Sequence, residues 1–294
     1  MRAVLLFLGL FLGVSSLYSL EFWPLKFPEI RRVFLQTSTT GLFPGTEIVG
    51  PSPEVLAPEK GEVVFVSQQK NTQLQNLPSA LEGFVILAHE ENLRSTVAQI
   101  TPSVFLTSKT QLLAGERMGT VLDPAQPRVR MFVFDQQLST VVNPQMVLPS
   151  MEDKRSPLIF DALLVSEEGK DSLSILKNNR IAHGYWSLVL DAGDPQNSNG
   201  RDYLKGIYSV NGFHNGTEFF RCTAESLKTT EGRYFFFETG DQSPKVARDI
   251  RAGERTWNLG KLFITEGTNI IEIVITDYAG NESSRIFNLR GGSF

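Results

Sequence analysis

Short apolar runs, separated by glycine, proline and polar turns, recur along most of this sequence, and no window holds a sustained helical period. In the first half of the chain these runs fall at residues 47–49, 55–57, 62–66, 84–88, 96–100 and 131–134. Many short strands at close spacing favour an all-β barrel or sandwich over alternating strands and helices. The pattern therefore predicts an all-β protein.

One stretch, residues 83–100, has the pattern of a β-hairpin. An apolar run is followed by a polar turn from His89 to Asn92, and then by a second run that begins polar and ends apolar. A strand, a turn and a second strand in this order predict two neighbouring antiparallel strands.

The second half of the chain shows cleaner alternation, at residues 186–190, 206–210, 218–222, 269–276 and 285–289. In one of these runs Ile271, Ile273 and Ile275 alternate with other side chains, which is typical of a strand covered on one face. Residues 277–281 predict a tight turn, and residues 246–255 are the one plausible short helix. This rhythm is typical of a β-sandwich.

A chain of 294 residues is long enough for two domains that each bury a core. Residues 1–19 have the charged, apolar and small-residue regions of a secretory signal peptide, with an uncleaved membrane anchor as the rival interpretation. Residues 20–40 predict an extended arm. Residues 149–157 are charged and flanked by prolines, so we predict a first domain over residues 41–150 and a second over residues 156–294.

The formal net charge of −4 gives no general electrostatic footprint for nucleic acid, and we expect no nucleic-acid partner. Cys222 is the single cysteine, which excludes an intramolecular disulfide and a two-cysteine metal site. A buried small hydrophobe is the favoured role for Cys222.

Three blocks of the first predicted domain resemble one protein family. They are residues 45–48 with 55–64, the hairpin continuing into residues 113–119, and residues 127–133 with a terminal Val-Asn-Pro at 142–144. In this order they are similar to the lysostaphin/LytM-type (M23) zinc endopeptidases, which cut peptide crosslinks of bacterial cell walls. The resemblance implies a LytM-type (duplicated hybrid motif) β-barrel or sandwich. The second half looks like a bacterial immunoglobulin-like β-sandwich.

Within this resemblance, the family's zinc-ligand and catalytic positions are replaced. The motif H-x-x-x-D falls on Phe43 and Glu47, the motif H-x-H falls on Arg128 and Arg130, and a further catalytic histidine falls on Gln99. Catalytic zinc needs neutral imidazoles and a carboxylate around an open coordination position. Two guanidinium groups carry permanent charge and offer no lone pair. The resemblance therefore implies a degenerate site without zinc or another cofactor.

Other candidates for a metal site are weaker. His89 matches a family histidine that is not a ligand, while His183 and His214 are predicted to be packed or turn residues. A further set resembles a calcium loop in composition but lacks EF-hand spacing, so we expect a solvated turn; it comprises Asp191, Asp194, Asn197, Asn199 and Asp202.

The leading hypothesis is an exported, catalytically degenerate M23-like protein of the periplasm or cell envelope. It is expected to bind peptidoglycan or to regulate a wall hydrolase, and to meet a membrane only through its signal peptide. Arg128 and Arg130 could pair with carboxylates of a ligand, or could be exposed strand residues. Two alternatives stay open: an active metalloendopeptidase with a non-standard site, and a structural envelope adaptor.

Overall fold

The computed structural model describes residues 19–38, 41–68, 82–198, 201–231, 233–236, 245–253 and 255–293. The predicted signal peptide lies outside these residues, apart from Ser19. The chain is all-β, as the alternation of short apolar runs predicted. Its strands and two short helices are β1 (Glu29–Arg32), β2 (Thr37–Ser38), β3 (Gly41–Leu42), β4 (Thr46–Val49), β5 (Glu54–Leu56), β6 (Gly61–Ser67), β7 (Phe84–Ala88), β8 (Leu93–Ala98), β9 (Ile100–Pro102), β10 (Gln111–Leu112), β11 (Arg117–Val121), β12 (Arg128–Asp135), β13 (Thr140–Val142), α1 (Pro144–Val147), β14 (Leu158–Ser166), β15 (Ser172–Ser174), β16 (Arg180–Ala182), β17 (Gly184–Ser198), β18 (Arg201–Lys205), β19 (Ser209–His214), β20 (Thr217–Thr223), β21 (Ser226–Thr230), β22 (Arg233–Phe236), β23 (Lys245–Val246), α2 (Ala247–Ile250), β24 (Thr256–Ile264), β25 (Gly267–Thr276) and β26 (Glu282–Gly292).

The predicted hairpin is confirmed. Strands β7 and β8 pair antiparallel from Phe84 opposite Ala98 to Ala88 opposite Arg94. A short 3-10 turn, Glu90–Asn92, joins them, and Glu91 and Asn92 there have φ values of 58° and 65°. Such left-handed positions reverse the chain within a few residues.

Two sheets enclose a first hydrophobic cluster. An eleven-stranded sheet runs β10-β6-β7-β8-β12-β13-β21-β22-β23, with β4 beside β12 and β1 beside β4, and a three-stranded sheet runs β5-β11-β9. The apolar face of the hairpin, with Val85, Leu87 and Val97, packs in this cluster together with Val55 and Met118. This face is buried because side chains alternate between the two faces of a strand.

Strand β12 crosses the middle of the large sheet and has a strict alternation. Val129, Met131 and Val133 are buried in the first cluster, while Arg128 is exposed and Arg130 is half-buried on the opposite face. Its register is fixed from both sides, by β8 and by β4 together with β13. The pairing therefore decides which face carries the two arginines.

A second hydrophobic cluster lies between two five-stranded sheets. One runs β15-β14-β17-β18 with β24 beside β17, and the other runs β16-β26-β25-β19-β20. Leu164, Leu190 and Leu259 of the first sheet share this cluster with Ile273 and Phe287 of the second, so the two sheets form a sandwich. Its likeness to an immunoglobulin domain stays a prediction.

The two clusters are linked by backbone pairing and by the N-terminal segment. Strand β13 pairs with β21, with Val141 opposite Leu227, so the large sheet continues past the predicted boundary. Leu20 and Leu25 are buried in the first cluster, whereas Phe34 and Leu35 are buried in the second. The domain limits that the sequence suggested stay a prediction.

Three local predictions are wrong. The helix expected over residues 246–255 is only the single turn α2, because the chain turns away at Arg251, whose Nε donates to the carbonyl of Leu35 at 3.2 Å. The strand expected over residues 96–100 breaks at Gln99, which has a φ of 63°. The strand expected over residues 206–210 begins only at Ser209.

The expected solvated turn around Asp191 and Asp194 is also wrong, since both residues lie within the long strand β17. Strand β17 pairs with β18, which extends the ladder to Ser198 opposite Arg201. Asn199, another member of that set, lies outside the described residues. Burial of the neighbouring apolar residues Leu188, Leu190 and Ala192 holds this segment in extended form.

Across the part of the chain that the structure describes, no helix has the length and apolar character needed to cross a bilayer.

Alternation on β25 gives a direct test of the sandwich core. Ile273 is fully buried, whereas Ile270 on the same strand is 42% exposed. We expect Ile273→Ala to lower the free energy of unfolding by about 2–5 kcal/mol, because a buried aliphatic side chain leaves a cavity. Ile270→Ala, the matched control, should change it by less than about 1 kcal/mol. Denaturant titration measures both, and equal losses would contradict the assigned register.

Candidate functional site

Three of the positions singled out by the resemblance meet in the structure. Glu47 on β4 lies opposite Arg130 on β12, and Arg130 Nε donates to Glu47 Oε2 at 3.3 Å. Phe43, three residues before β4 begins, lies beneath this pair: the Arg130 guanidinium is 5.8 Å from its ring centroid. Phe132 packs edge-on against Phe43 at 5.7 Å. These four residues, termed the Glu47 cluster, thus place an ion pair over an aromatic ring.

Arg32 is a member of this cluster that the sequence did not single out. Its guanidinium lies 4.3 Å above the Phe43 ring, and its backbone pairs with Glu47 across β1 and β4. Guanidinium groups stack favourably on aromatic faces. Because Arg32 belongs to the N-terminal segment, only the antiparallel pairing of β1 with β4 places it here, and no local motif in the sequence marks it.

Gln99 occupies an unusual position next to this cluster. It follows Ala98, the residue that pairs with Arg130 across β8 and β12. Its φ of 63° is in the left-handed region, and its side chain is buried with the Oε1 oxygen lacking a hydrogen-bond donor. Both features cost stability, and such positions concentrate at functional sites.

Arg128 has a different environment from Arg130. It is exposed, and its guanidinium has no ion-pair partner in the part of the chain that the structure describes. It lines a cleft of about 1480 Å³ between β1, the segment before β12, and β18. Arg31 and Arg255 also line this cleft, where Arg255 pairs with Asp191 at 2.8 Å. The structure thus separates the two arginines that the sequence treated as a pair.

The cleft has a positive character. Four basic side chains and one acidic side chain are among the described residues that line it; these are Arg31, Arg128, Lys205, Arg255 and Glu29. Guanidinium groups bind carboxylates and phosphates through paired hydrogen bonds. An anionic ligand therefore fits this cleft better than a cation does. Arg31 and Arg255 carry no sequence signal that would have found them.

The three histidines make their hydrogen bonds with residues outside the Glu47 cluster. His89 Nδ1 donates to the Lys60 carbonyl at 2.9 Å, while Nε2 accepts from the Ser95 hydroxyl at 2.7 Å. Burial lowers the pKa of His89, which favours this neutral form. His214 Nε2 donates to Asn269 Oδ1 at 3.1 Å, and His183 follows the edge strand β16.

The chemistry of the cluster follows from these contacts. The one carboxylate, Glu47, is already engaged by Arg130, and guanidinium groups donate hydrogen bonds but offer no lone pair to a metal. Phe43 contributes only an aromatic face. Of the set Phe43, Glu47, Gln99, Arg128 and Arg130, only Arg128 is exposed, and only Glu47 carries a carboxylate.

Comparisons with known proteins add little to this geometry. A protein-family model matches residues 156–290, and its description names neither a fold nor an activity. No curated protein matches the sequence. Among solved structures, the NMR solution structure of lysostaphin aligns over 83% of this chain and 92% of its own, with 11% identity and a TM-score of 0.34. At that score the likeness supports no conclusion about activity.

The Glu47–Arg130 pair should contribute to stability. Its side chains are 10% and 27% exposed, so they are poorly hydrated. In a double-mutant cycle of Glu47→Gln and Arg130→Ala, we expect a coupling free energy of about 1–3 kcal/mol. The exposed pair Lys261–Glu167 is the control, with an expected coupling below about 1 kcal/mol. Equal coupling in the two cycles, measured by denaturant unfolding, would contradict this arrangement.

The strain at Gln99 has its own test. Glycine adopts positive φ without steric cost, so Gln99→Gly should raise the free energy of unfolding by about 1 kcal/mol. Ala98→Gly, one residue earlier in β8, should instead lower it by at least about 0.5 kcal/mol, because glycine weakens a regular strand. Chemical denaturation of both variants checks the sign, and a loss at position 99 would refute the assigned conformation.

Proposed function

We propose that this chain is a catalytically degenerate relative of the LytM-type endopeptidases that is exported to the cell envelope and binds acidic groups of peptidoglycan. The observation that carries the proposal is the basic cleft in which Arg128 and Arg31 are exposed and have no ion-pair partner among the described residues. Peptidoglycan stem peptides carry carboxylates, which are suitable partners for guanidinium groups.

Support for the loss of catalysis comes from the ion pair at the positions that resemble the family's zinc ligands. Glu47 and Arg130 are joined at 3.3 Å and lie over Phe43. A metal ion there would have to displace a cation from its carboxylate, and would find no imidazole at the remaining matched positions. Retained binding without hydrolysis fits this arrangement, and export is proposed from the signal-like pattern of residues 1–19.

Regulation of a wall hydrolase is the related possibility, since an acidic segment of such a partner offers the same carboxylate chemistry. The choice of partner in the binding experiment distinguishes peptidoglycan from a wall hydrolase. Purified peptidoglycan contains no hydrolase, so binding to it supports the wall-binding form directly.

Arg128→Ala tests the proposal. In co-sedimentation with purified peptidoglycan at low salt, we expect the bound fraction to fall several-fold, because a charge-assisted contact of an exposed guanidinium is lost. Raising the salt concentration should weaken binding of the unmodified protein, since exposed charges are screened. Circular dichroism should show an unchanged fold.

Arg180→Ala is the matched control, since Arg180 is an exposed strand arginine that does not line the cleft. It should bind like the unmodified protein. Two results would count against the proposal: undiminished binding by Arg128→Ala, or stoichiometric zinc together with cleavage of peptidoglycan by the purified protein. The second result would restore the metalloendopeptidase alternative.

A further inference from the structure

Three carboxylates from distant parts of the chain come together beside the second sandwich. Asp153 lies in the segment before β14, Asp194 lies on β17, and Asp277 follows β25. Each offers a carboxylate oxygen, and these oxygens lie within 4.8 Å of one another. Among the residues that the structure describes, this is the one group of acidic, histidine or cysteine side chains with the spacing of a metal site.

Asp194 gives a second indication that this group receives a ligand. The residue is only 2% exposed, and its Oδ1 oxygen is buried without a hydrogen-bond donor. Its other oxygen, Oδ2, accepts from Gln196 Nε2 at 2.8 Å. A buried carboxylate oxygen without a donor costs free energy, and a bound cation removes that cost.

The neighbouring oxygens are held in place by hydrogen bonds. The Asp277 carboxylate accepts from the backbone of Ala279 and of Asn281 at 2.8 and 2.9 Å, and from the Asn281 side chain at 2.8 Å. Asn281 also donates to the backbone carbonyl of Asp153 at 3.0 Å. This turn therefore fixes two of the three acidic residues relative to each other before any ion binds.

The local charge is unbalanced. The half-buried side chain of Lys205 lies close enough to all three carboxylates to interact with them electrostatically. Three carboxylates outnumber this one ammonium group, so a cation bound among them would offset their mutual repulsion.

We propose that Asp153, Asp194 and Asp277 bind a calcium ion at the junction of the two hydrophobic clusters. The donor set consists of oxygen atoms alone, which hard divalent cations prefer over zinc. Calcium fits best because it tolerates irregular geometry and takes backbone carbonyls and water to complete its shell. A cavity of about 360 Å³, lined by Asp153, Asp194 and Tyr278, gives an ion and its waters access.

Binding would tie together three segments that are far apart in the sequence. Trp23 and Leu148 line the same cavity from the side of the first cluster, so the ion would sit where the two halves of the molecule meet. We expect calcium to stabilise this junction, because a ligand that binds only the folded form raises stability by mass action.

The experiment compares the full-length protein after treatment with EDTA and after addition of calcium chloride. We expect the midpoint of thermal unfolding to rise by several degrees with calcium. Asp194→Asn should abolish this shift, because it removes the buried charge while keeping the side-chain shape. Glu168→Gln, at an exposed acidic residue that pairs with Lys170, should retain the full shift.

A second measurement does not require that the Asp194→Asn variant folds. Terbium ions replace calcium in oxygen-rich sites and are sensitised by nearby aromatic side chains such as Tyr203 and Tyr278, which line the cavity. We expect terbium luminescence with the unmodified protein, and its loss on addition of excess calcium. No calcium shift and no displaceable luminescence would overturn the proposal, and would leave Lys205 and a shared proton to neutralise the acidic group. A response to zinc but not to calcium would overturn it too.

Discussion

The register of strand β12 is the constraint on which the candidate site depends. This strand pairs with β8 on one side and with β4 and β13 on the other, so its position along both neighbours is fixed. Val129, Met131 and Val133 enter the first cluster, and the arginines are consequently held on the other face. A shift by one residue would bury guanidinium groups in an apolar core, which is prohibitively costly.

The N-terminal segment, residues 20–35, joins the two halves of the molecule. Leu20 and Leu25 are buried in one cluster and Phe34 and Leu35 in the other, while β1 between them pairs with β4. The same segment supplies Arg32 to the Glu47 cluster and Arg31 to the basic cleft. One extended element therefore connects the packing of both cores with the chemistry of the surface between them.

Two opposite electrostatic environments lie close together at this junction. The cleft around Arg128 is positive, whereas the group of Asp153, Asp194 and Asp277 is negative, and Lys205 lines the cavities on both sides. Opposite charges favour each other's ionised forms, although burial of Lys205 acts against this by lowering its pKa. An anionic ligand in the cleft and a cation at the acidic group would therefore be compatible, and each would stabilise the arrangement of the two cores.

The local pattern of apolar and polar residues was sufficient to predict much of the fold. Alternation along β25 gave the buried face of Ile271, Ile273 and Ile275, and the period and turn of residues 83–100 gave the hairpin. Both follow from the two-residue repeat of a strand, which a single sequence displays. The helix expected over residues 246–255 was wrong because its end is set by a contact between Arg251 and Leu35, which are far apart in the chain.

The sequence by itself determined the class of fold and the alternating core faces. Only the tertiary structure decided that Arg130 is held by Glu47 while Arg128 faces a cleft, and that Asp194 meets Asp153 and Asp277 rather than its neighbours in sequence. The physical reason is that alternation is a local property of the chain. Pairing between distant strands, by contrast, is settled by the burial of both cores together.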